Sequence, residues 1–262
     1  MIPIDQYAYV NRLATVHPLE KMAFSFVFLL FAISTKDVLI SLITFFVMSV
    51  FILIAAKIPL ITYLKLLLLP GFFLLSSLAG ILISFTTATH LPSHVADWTV
   101  FGVTIFIGTA SIHTAYHLFF SVLASISCLY FLTLTTPITA ITYAMRKLKF
   151  PIVFVDLCEL TYRFIFVFLA SMQRIYQAQQ SRLGYQNKKR WIQSIGFLIT
   201  SMFKDVFKRA HELNNAMQAR CYDDTITDTL YGYSVCRRNW YGVAACLCGL
   251  FIIYFTLGGL LT

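Results

Sequence analysis

Val38-Leu-Ile-Ser-Leu-Ile-Thr-Phe-Phe-Val-Met-Ser-Val-Phe-Ile-Leu-Ile-Ala-Ala56 runs on without a single charged residue. A helix needs roughly 20 apolar residues to cross the hydrocarbon core of a bilayer, and this stretch meets that requirement alone. The composition around it agrees. Hydrophobic residues make up 59% of the chain and charged residues 12%, where a soluble domain carries about 25% charged residues. The 25 phenylalanines outnumber the 20 lysines and arginines, too many for one soluble core. The chain is an integral membrane protein.

Other spans are read outward from this one. Met22 to Ser34 is a shorter apolar run, joined to the first through Thr35-Lys36-Asp37. The two either form a tight hairpin or leave the short run tilted and partly spanning. Leu60 to Phe85 is a third, with Lys65 near one end and Pro70-Gly71 inside, a pair expected to kink or break it. His113 to Leu134 is a fourth. Trp240 to Leu261 is the last, opening on a Trp-Tyr pair suited to the membrane interface. The first apolar run begins only after Asp5, Arg12 and Glu20, and no small-residue cleavage site follows, so no removable signal peptide is expected.

Lysine and arginine set the expected orientation. Pro137 to Asn239 holds 15 of the 20, and Thr86 to Thr136 holds none. The positive-inside rule makes the first cytoplasmic and the second outward-facing. Counting crossings then places the N-terminus in the cytoplasm and the C-terminus outside, in the cell (inner or plasma) membrane. The net charge of +9 reflects this topology. No basic patch is interleaved with a soluble fold, so a nucleic-acid partner is not expected.

Pro137 to Asn239 is too long for a simple loop. Thr135-Thr136-Pro137 introduces a short amphipathic helix over Ile138 to Leu148, with Thr136 as cap and Pro137 in the first turn. Pro151 separates it from a second helix, about Ile152 to Leu183. Asp156, Glu159, Arg163 and Arg174 make that helix a poor bilayer span, and Glu159 and Arg163 are spaced to pair. Gly184 fits a terminating position just past its last turn. A third helix runs from about Trp191 to Cys221. Ile192, Ile195, Ile199, Phe203, Val206, Ala210, Leu213 and Met217 form its apolar stripe, with Lys204, Asp205, Lys208, Glu212 and Asn215 opposite.

The ends of the two long helices echo each other. Ala178-Gln-Gln-Ser-Arg182 and Ala216-Met-Gln-Ala-Arg220 both read Ala-x-Gln-(Ser/Ala)-Arg. A lone cytoplasmic arginine is usually a solvated charge. A repeated context at two helix ends points instead to docking, for which the arginine fork is suited.

These residues carry a resemblance. The chain is similar over its whole length to the transmembrane T component of energy-coupling-factor transporters, a branch of the ATP-binding-cassette importers. That family ends its coupling helices on two short Ala-Arg-Gly-like motifs. Here they read Ser181-Arg182-Leu183, with Gly184 one residue late, and Ala219-Arg220-Cys221, with no glycine. Ile4-Asp5-Gln6-Tyr7-Ala8-Tyr9, Asn11-Arg12-Leu13 and His17-Pro18-Leu19-Glu20-Lys21 resemble the start of the cobalt-type branch, CbiQ, as does Met217 to Tyr222.

The resemblance implies an all-α membrane protein with about five transmembrane helices plus long cytoplasmic amphipathic coupling helices. The divisions are 1–136 for the N-terminal membrane part, 137–239 for the coupling region and 240–262 for the last span. It implies a non-catalytic subunit of an ATP-driven importer. Its partners would be two ATP-binding-cassette ATPase subunits and a substrate-binding S component, CbiM-type with a small CbiN-type accessory subunit, together with membrane lipids. The motif residues Ser181, Arg182, Leu183, Gly184, Ala219, Arg220 and Cys221 would couple to the ATPases. ATP would sit on the ATPases and the cobalt ion on the S component, leaving no cofactor on this chain. A nickel or vitamin T component is the alternative within the family.

Other chemistry is weaker. His90, His94, Asp97, His113 and His117 crowd the outward-facing region, and His90/His94 and His113/His117 have a metal-ligand spacing for a helix. Pro92 argues against a helix at the first pair, and interfacial polar-aromatic residues beside Trp98 are the expected reading. Cys246 and Cys248 face different sides of their helix, Cys128, Cys158, Cys221 and Cys236 are scattered, and free buried thiols are expected. No phosphate-binding glycine loop is present. Ser76-Ser77-Leu78-Ala79-Gly80 and Gly258-Gly259 are small-residue patches that suit packing within the chain or against the substrate-binding partner, the first being the expected reading. An intramembrane lipid or prenyl transferase is the competing function. It would use Asp156 and Glu159, or Asp223, Asp224 and Asp228.

Overall fold

The computed structural model describes residues 3–14, 16–35, 37–82, 84–86, 94–100, 103–222, 241–246, 248–249 and 251. These fall into two compact units, one up to Pro137 together with residues from 241 onward, the other from Ile138.

The membrane unit opens with α1 (Pro3–Val10) and α2 (Pro18–Ser34). Then come α3 (Val38–Val50), which continues into a π-helical turn over Phe51–Ala55, and α4 (Leu60–Leu82). Three strands follow: β1 (Ser84–Thr86), β2 (His94–Val100) and β3 (Val103–Gly108). The last long helix is α5 (Thr109–Thr135). Val38–Ala55, Leu60–Leu82 and Ser111–Thr135 are long and apolar enough to span a bilayer. At 17 residues, α2 is about 26 Å long, slightly short of a hydrocarbon core of about 30 Å. It begins at Pro18, before the apolar run, because His17 Nδ1 accepts the Leu19 N–H at 3.2 Å and Pro18 suits the first turn. Residues 241–246 of the last expected span are helical.

Helix α5 is the axis of this unit, with α1, α2, α3 and α4 packed around it. Phe24, Phe28, Met48, Ile52, Cys128, Phe131 and Leu134 fill the core, and the Phe24 ring meets Phe51 at 5.1 Å and Phe131 at 5.5 Å. The final carbonyls of any helix lack intrahelical donors, and here the N-terminal segment supplies them. Lys21 Nζ donates to Thr135 O at 2.8 Å and to Leu13 O at 3.1 Å. Asn11 Nδ2 donates to Leu134 O at 3.1 Å. Lys21 is 4% exposed, and a cation at a helix C-terminus is favoured by the macrodipole. Asn11 and Lys21, two residues behind the N-terminal resemblance, thus cap α5.

Of the two outcomes expected at Pro70, a break does not occur: α4 runs continuously through it, as membrane helices tolerate when neighbouring groups take up the freed carbonyl. Two expectations need correcting. The helix ends at Leu82, and Phe85 lies on β1, part of an antiparallel sheet of order β1-β3-β2. Val100 faces Val103, and Trp98 faces Ile105. Val95, Val100, Val103, Ile105 and Ile107 supply the β-branched content strands favour. Among the described residues the patch Ser76 to Gly80 is not packed inside the chain. Ser76, Ser77, Ala79 and Gly80 are exposed, and a Cβ on Gly80 would meet nothing within 4 Å. Gly258-Gly259 lies outside the described residues.

The second unit contains α6 (Ile138–Lys147), α7 (Ile152–Ser181) and α8 (Lys188–Gln218). Arg146 of α6 donates to Asp156 at 2.6 Å and lies 3.5 Å from Glu159, tying α6 to α7. The covered face of α8 is turned from the expected stripe. Ile195, Val206, Leu213 and Met217 are half-buried as expected, but so are Leu198, Met202, Asp205 and Arg209, while Ser194 is buried. Ile192, Ile199, Phe203 and Phe207 are exposed at 64%, 60%, 64% and 62%. The cause is an ion pair placed at the crossing with α7. Arg209 Nε donates to Asp205 at 3.0 Å, and Arg209 Nη2 donates to Ser171 Oγ of α7 at 3.3 Å.

Candidate functional site

Both arginines sit at a helix end of the same construction. Arg182 is the residue on which α7 closes, with φ −94° and ψ 17°. Leu183 follows in the left-handed region at φ 59°. The Leu183 N–H returns to Gln180 O at 3.0 Å, and the Gly184 N–H returns to Gln179 O at 3.0 Å. This is the paired 5→2 and 6→1 arrangement that satisfies the last carbonyls of a helix. The second end repeats it residue for residue. Cys221 has φ 54°, its N–H reaches Gln218 O at 3.1 Å, and the Tyr222 N–H reaches Met217 O at 3.1 Å. Arg182 and Arg220 are both exposed. Each also lies where the helix dipole favours a cation.

The motif glycine now has a physical place. An Ala-Arg-Gly sequence puts glycine on the left-handed residue, the one conformation in the motif that a Cβ opposes. This chain places Leu183 and Cys221 there. Gly184 stands one residue later, in the terminating position expected just past the last turn, and its own constraint is space. A Cβ on Gly184 would lie 2.7 Å from Ser194 Oγ and 3.0 Å from Gln179 O. Ser194 donates to Gly184 O at 2.7 Å, so α8 clasps the loop behind Arg182. Tyr185 OH donates to Gln179 Oε1 at 2.6 Å, and its ring lies 4.8 Å from that of Tyr176. Loss of solvent, then the neighbouring Tyr176 phenol, push the Tyr185 hydroxyl above its ordinary value, so it keeps its donor proton. The sequence contained this clasp only as Ser194 on the polar side of a helix.

The remaining candidates are dispersed. His113 and His117 share a face of α5, with Nε2 atoms 3.2 Å apart and rings 4.3 Å apart. His94 and Asp97 lie on β2 with side chains outside the described set, and His90 lies outside the described residues. Among the described residues no group of three or more His, Cys, Asp or Glu side chains could hold a metal ion. Asp156 and Glu159, offered as catalytic carboxylates, are held by Arg146. Asp223, Asp224 and Asp228 lie outside the described residues, as does Cys236. Cys128 is a buried free thiol, whereas Cys221 and Cys248 are exposed, against the expectation that all would be buried.

A family model described as cobalt transport protein, CbiQ, matches residues 10–229. The chain belongs to the CbiQ cobalt transport protein family. An uncharacterized protein of Methanocaldococcus jannaschii is 33% identical over 85% of this chain and 81% of its own length. A putative fused cobalt transport protein CbiMQ of Methanocorpusculum labreanum is 38% identical over 45% of this chain and 20% of its own. An energy-coupling factor transporter transmembrane protein EcfT of Leuconostoc gelidum is 32% identical over 48% of this chain and 51% of its own. This CbiQ-family chain is accordingly a membrane component of a cobalt- or energy-coupling-factor-type transporter.

Proposed function

We propose that the chain is the coupling subunit, or T component, of an importer, passing the motion of two ATP-binding-cassette ATPases to a separate substrate-binding membrane subunit. Cobalt(II) is the cargo favoured by the family description and by the fused CbiMQ relative. The observation that carries the reading is the shared construction of the two helix ends, each presenting an exposed arginine as the helix closes. Closure and opening of an ATPase pair must reach the membrane through rigid elements seated in it. A helix end with its last carbonyls satisfied is such an element, and an arginine fork binds carboxylates bidentately.

The rest of the proposal follows from that role. Residues 137–239 work in the cytoplasm, the N-terminus lies on the same side and the C-terminus outside, with 1–136 and 240–262 holding the chain in the bilayer. Ser181, Leu183, Gly184, Ala219 and Cys221 shape the two ends around Arg182 and Arg220. The exposed α8 ridge of Ile192, Ile199, Phe203 and Phe207 offers apolar surface to the S component, of CbiM type with its CbiN-type accessory. ATP is bound and hydrolysed by the ATPases, and this chain is non-catalytic.

The test is co-purification and uptake of labelled Co²⁺ with Arg182→Ala, Arg220→Ala and the double variant. Truncating one partner of a desolvated arginine–carboxylate contact costs about 2–5 kcal/mol, a loss of about 30-fold or more in affinity. The double variant should insert at normal abundance, keep the S component and lose the ATPases. Lysine should rescue poorly, because it lacks the planar fork. Wild-type ATPase recovery and uptake in the double variant would reduce both arginines to solvated charges and remove the coupling assignment.

A further inference from the structure

Arg182 shares its end of the α7–α8 pair with other cations. Lys188, Lys189 and Arg190 form the first turn of α8, and all are exposed. The Ser194–Gly184 contact at 2.7 Å pins the Arg182 loop to α8. A rise of 1.5 Å per residue puts Lys188 only about 9 Å along the axis from Ser194. No Asp or Glu occurs between Glu159 and Asp205, so neither helix carries a carboxylate near this end. The other end differs: Arg220 is preceded by Glu212 and followed by Asp223 and Asp224.

The cluster works against its own helix. Cations in a first turn oppose the macrodipole, and Asn187 ahead of it makes no side-chain cap hydrogen bond. Local stability does not account for three basic residues there. Their directions matter too. Consecutive helix residues point about 100° apart, so the three form an open collar over about 200° of the helix end. A helix lying on an anionic bilayer carries its cations beside one apolar face, and only one side of a collar would meet such a surface. An end-on approach to a concave acidic surface uses the whole collar.

We infer that the Arg182 end, unlike the Arg220 end, is electrostatically steered onto a carboxylate-rich groove of a nucleotide-binding partner, with Lys188, Lys189 and Arg190 as the steering collar. The inference rests on the coupling reading and adds which end is steered and the chemistry of its groove. Arg182 makes the seated contact, and the collar acts on the encounter. Rim charges change association rate and salt dependence, whereas a seated charge pair changes dissociation.

The experiment uses the full chain in phosphatidylcholine nanodiscs and the ATPase pair that co-purifies with it, with binding rates followed over a KCl series. K188S/K189S/R190S should lower the association rate at low salt by about tenfold or more and flatten its salt dependence, leaving the dissociation rate unchanged. Arg182→Ala should raise the dissociation rate. Removing the first-turn cations relieves a dipole conflict, so α8 amide protection should not fall. An unchanged rate and salt slope in the triple variant would overturn the inference while leaving the coupling reading standing. An effect seen only in phosphatidylglycerol nanodiscs would also overturn it, by making an anionic lipid the partner. Retention of the ATPases by the Arg182/Arg220 double-alanine chain would overturn the coupling reading and this inference with it.

Discussion

Arg182 and Arg220 close their helices with one backbone design, in different surroundings. Each is followed by a non-glycine residue in the left-handed region, and each pair of returning N–H groups satisfies the same two carbonyl positions. A third helix end, at Lys149 with φ 61°, repeats the pattern: the Lys149 N–H bonds Arg146 O at 3.1 Å and the Phe150 N–H bonds Met145 O at 3.2 Å. The closure is therefore the common way helices stop in this unit. Around the first arginine end stand Ser194, Tyr185 and Tyr176, and the loop is held on two sides. The repeated arginine specifies a shared task, while the clasp and the collar belong to the first end.

Gly184→Ala breaks the comparison most sharply. Overpacking a fitted site costs about 1–3 kcal/mol. Ser194 Oγ can rotate away only by giving up its bond to Gly184 O, and Gln179 O is backbone and cannot. The expected outcome is a clear loss of amide-exchange protection at Leu183 and Gly184, with Cys221 and Tyr222 unchanged. Equal loss at both ends, or none, would mean that the clasp does not distinguish them.

Much of this architecture was legible in the sequence, and for physical reasons. Long apolar runs announced α3, α4 and α5 because bilayer thickness sets their length. The starts of α6 and α7 followed from Pro137 and Pro151. Strand pairing in 94–108 was hidden by the general hydrophobicity, which masks a period of two. The face of α8 was misread because a half-buried Asp205–Arg209 pair at a helix crossing looks in sequence like a solvated pair. Of the site, the two arginines were visible as a repeat. Ser194 was not, since its role depends on a carbonyl ten residues away at Gly184. Nor could the sequence tell that Leu183 and Cys221 occupy the glycine conformation, although the one-residue offset of Gly184 was a hint.

Leu183→Gly and Cys221→Gly sharpen the same comparison in the opposite direction. A left-handed L-residue is disfavoured by about 1–2 kcal/mol, and glycine returns about 0.5–1 kcal/mol of that as backbone entropy in the unfolded chain. Each variant should gain of the order of 0.5–1 kcal/mol in local opening free energy by amide exchange. The gains should be similar at the two ends, because the backbone is the same. A gain at Cys221 with a loss at Leu183 would show that the Leu183 side chain contributes packing, although it is 56% exposed.

The smallest effect is expected at the α7–α8 crossing, as a dependence on pH. The hydrogen bond from Arg209, and after it the Ser171 hydroxyl, hold the Asp205 carboxyl below its ordinary value. A carboxylate depressed in the folded state contributes its stability above its unfolded pKa, about 3.9, and loses it as pH falls through the lower, folded value. Protection of the crossing should therefore be flat from neutral pH down to about 4 and weaken only below that. Asp205→Asn should remove this acid-side loss while slightly lowering protection at neutral pH, because partly exposed ion pairs are worth at most about 1 kcal/mol and are screened by salt. Arg174 also donates to Ser171 Oγ, at 3.1 Å, so the hydroxyl keeps a donor when Asp205 is neutralised and the helices stay crossed. Protection that instead fell between pH 7 and 5 would assign the dependence to another group and would leave Asp205–Arg209 as an ion pair without consequence for the crossing.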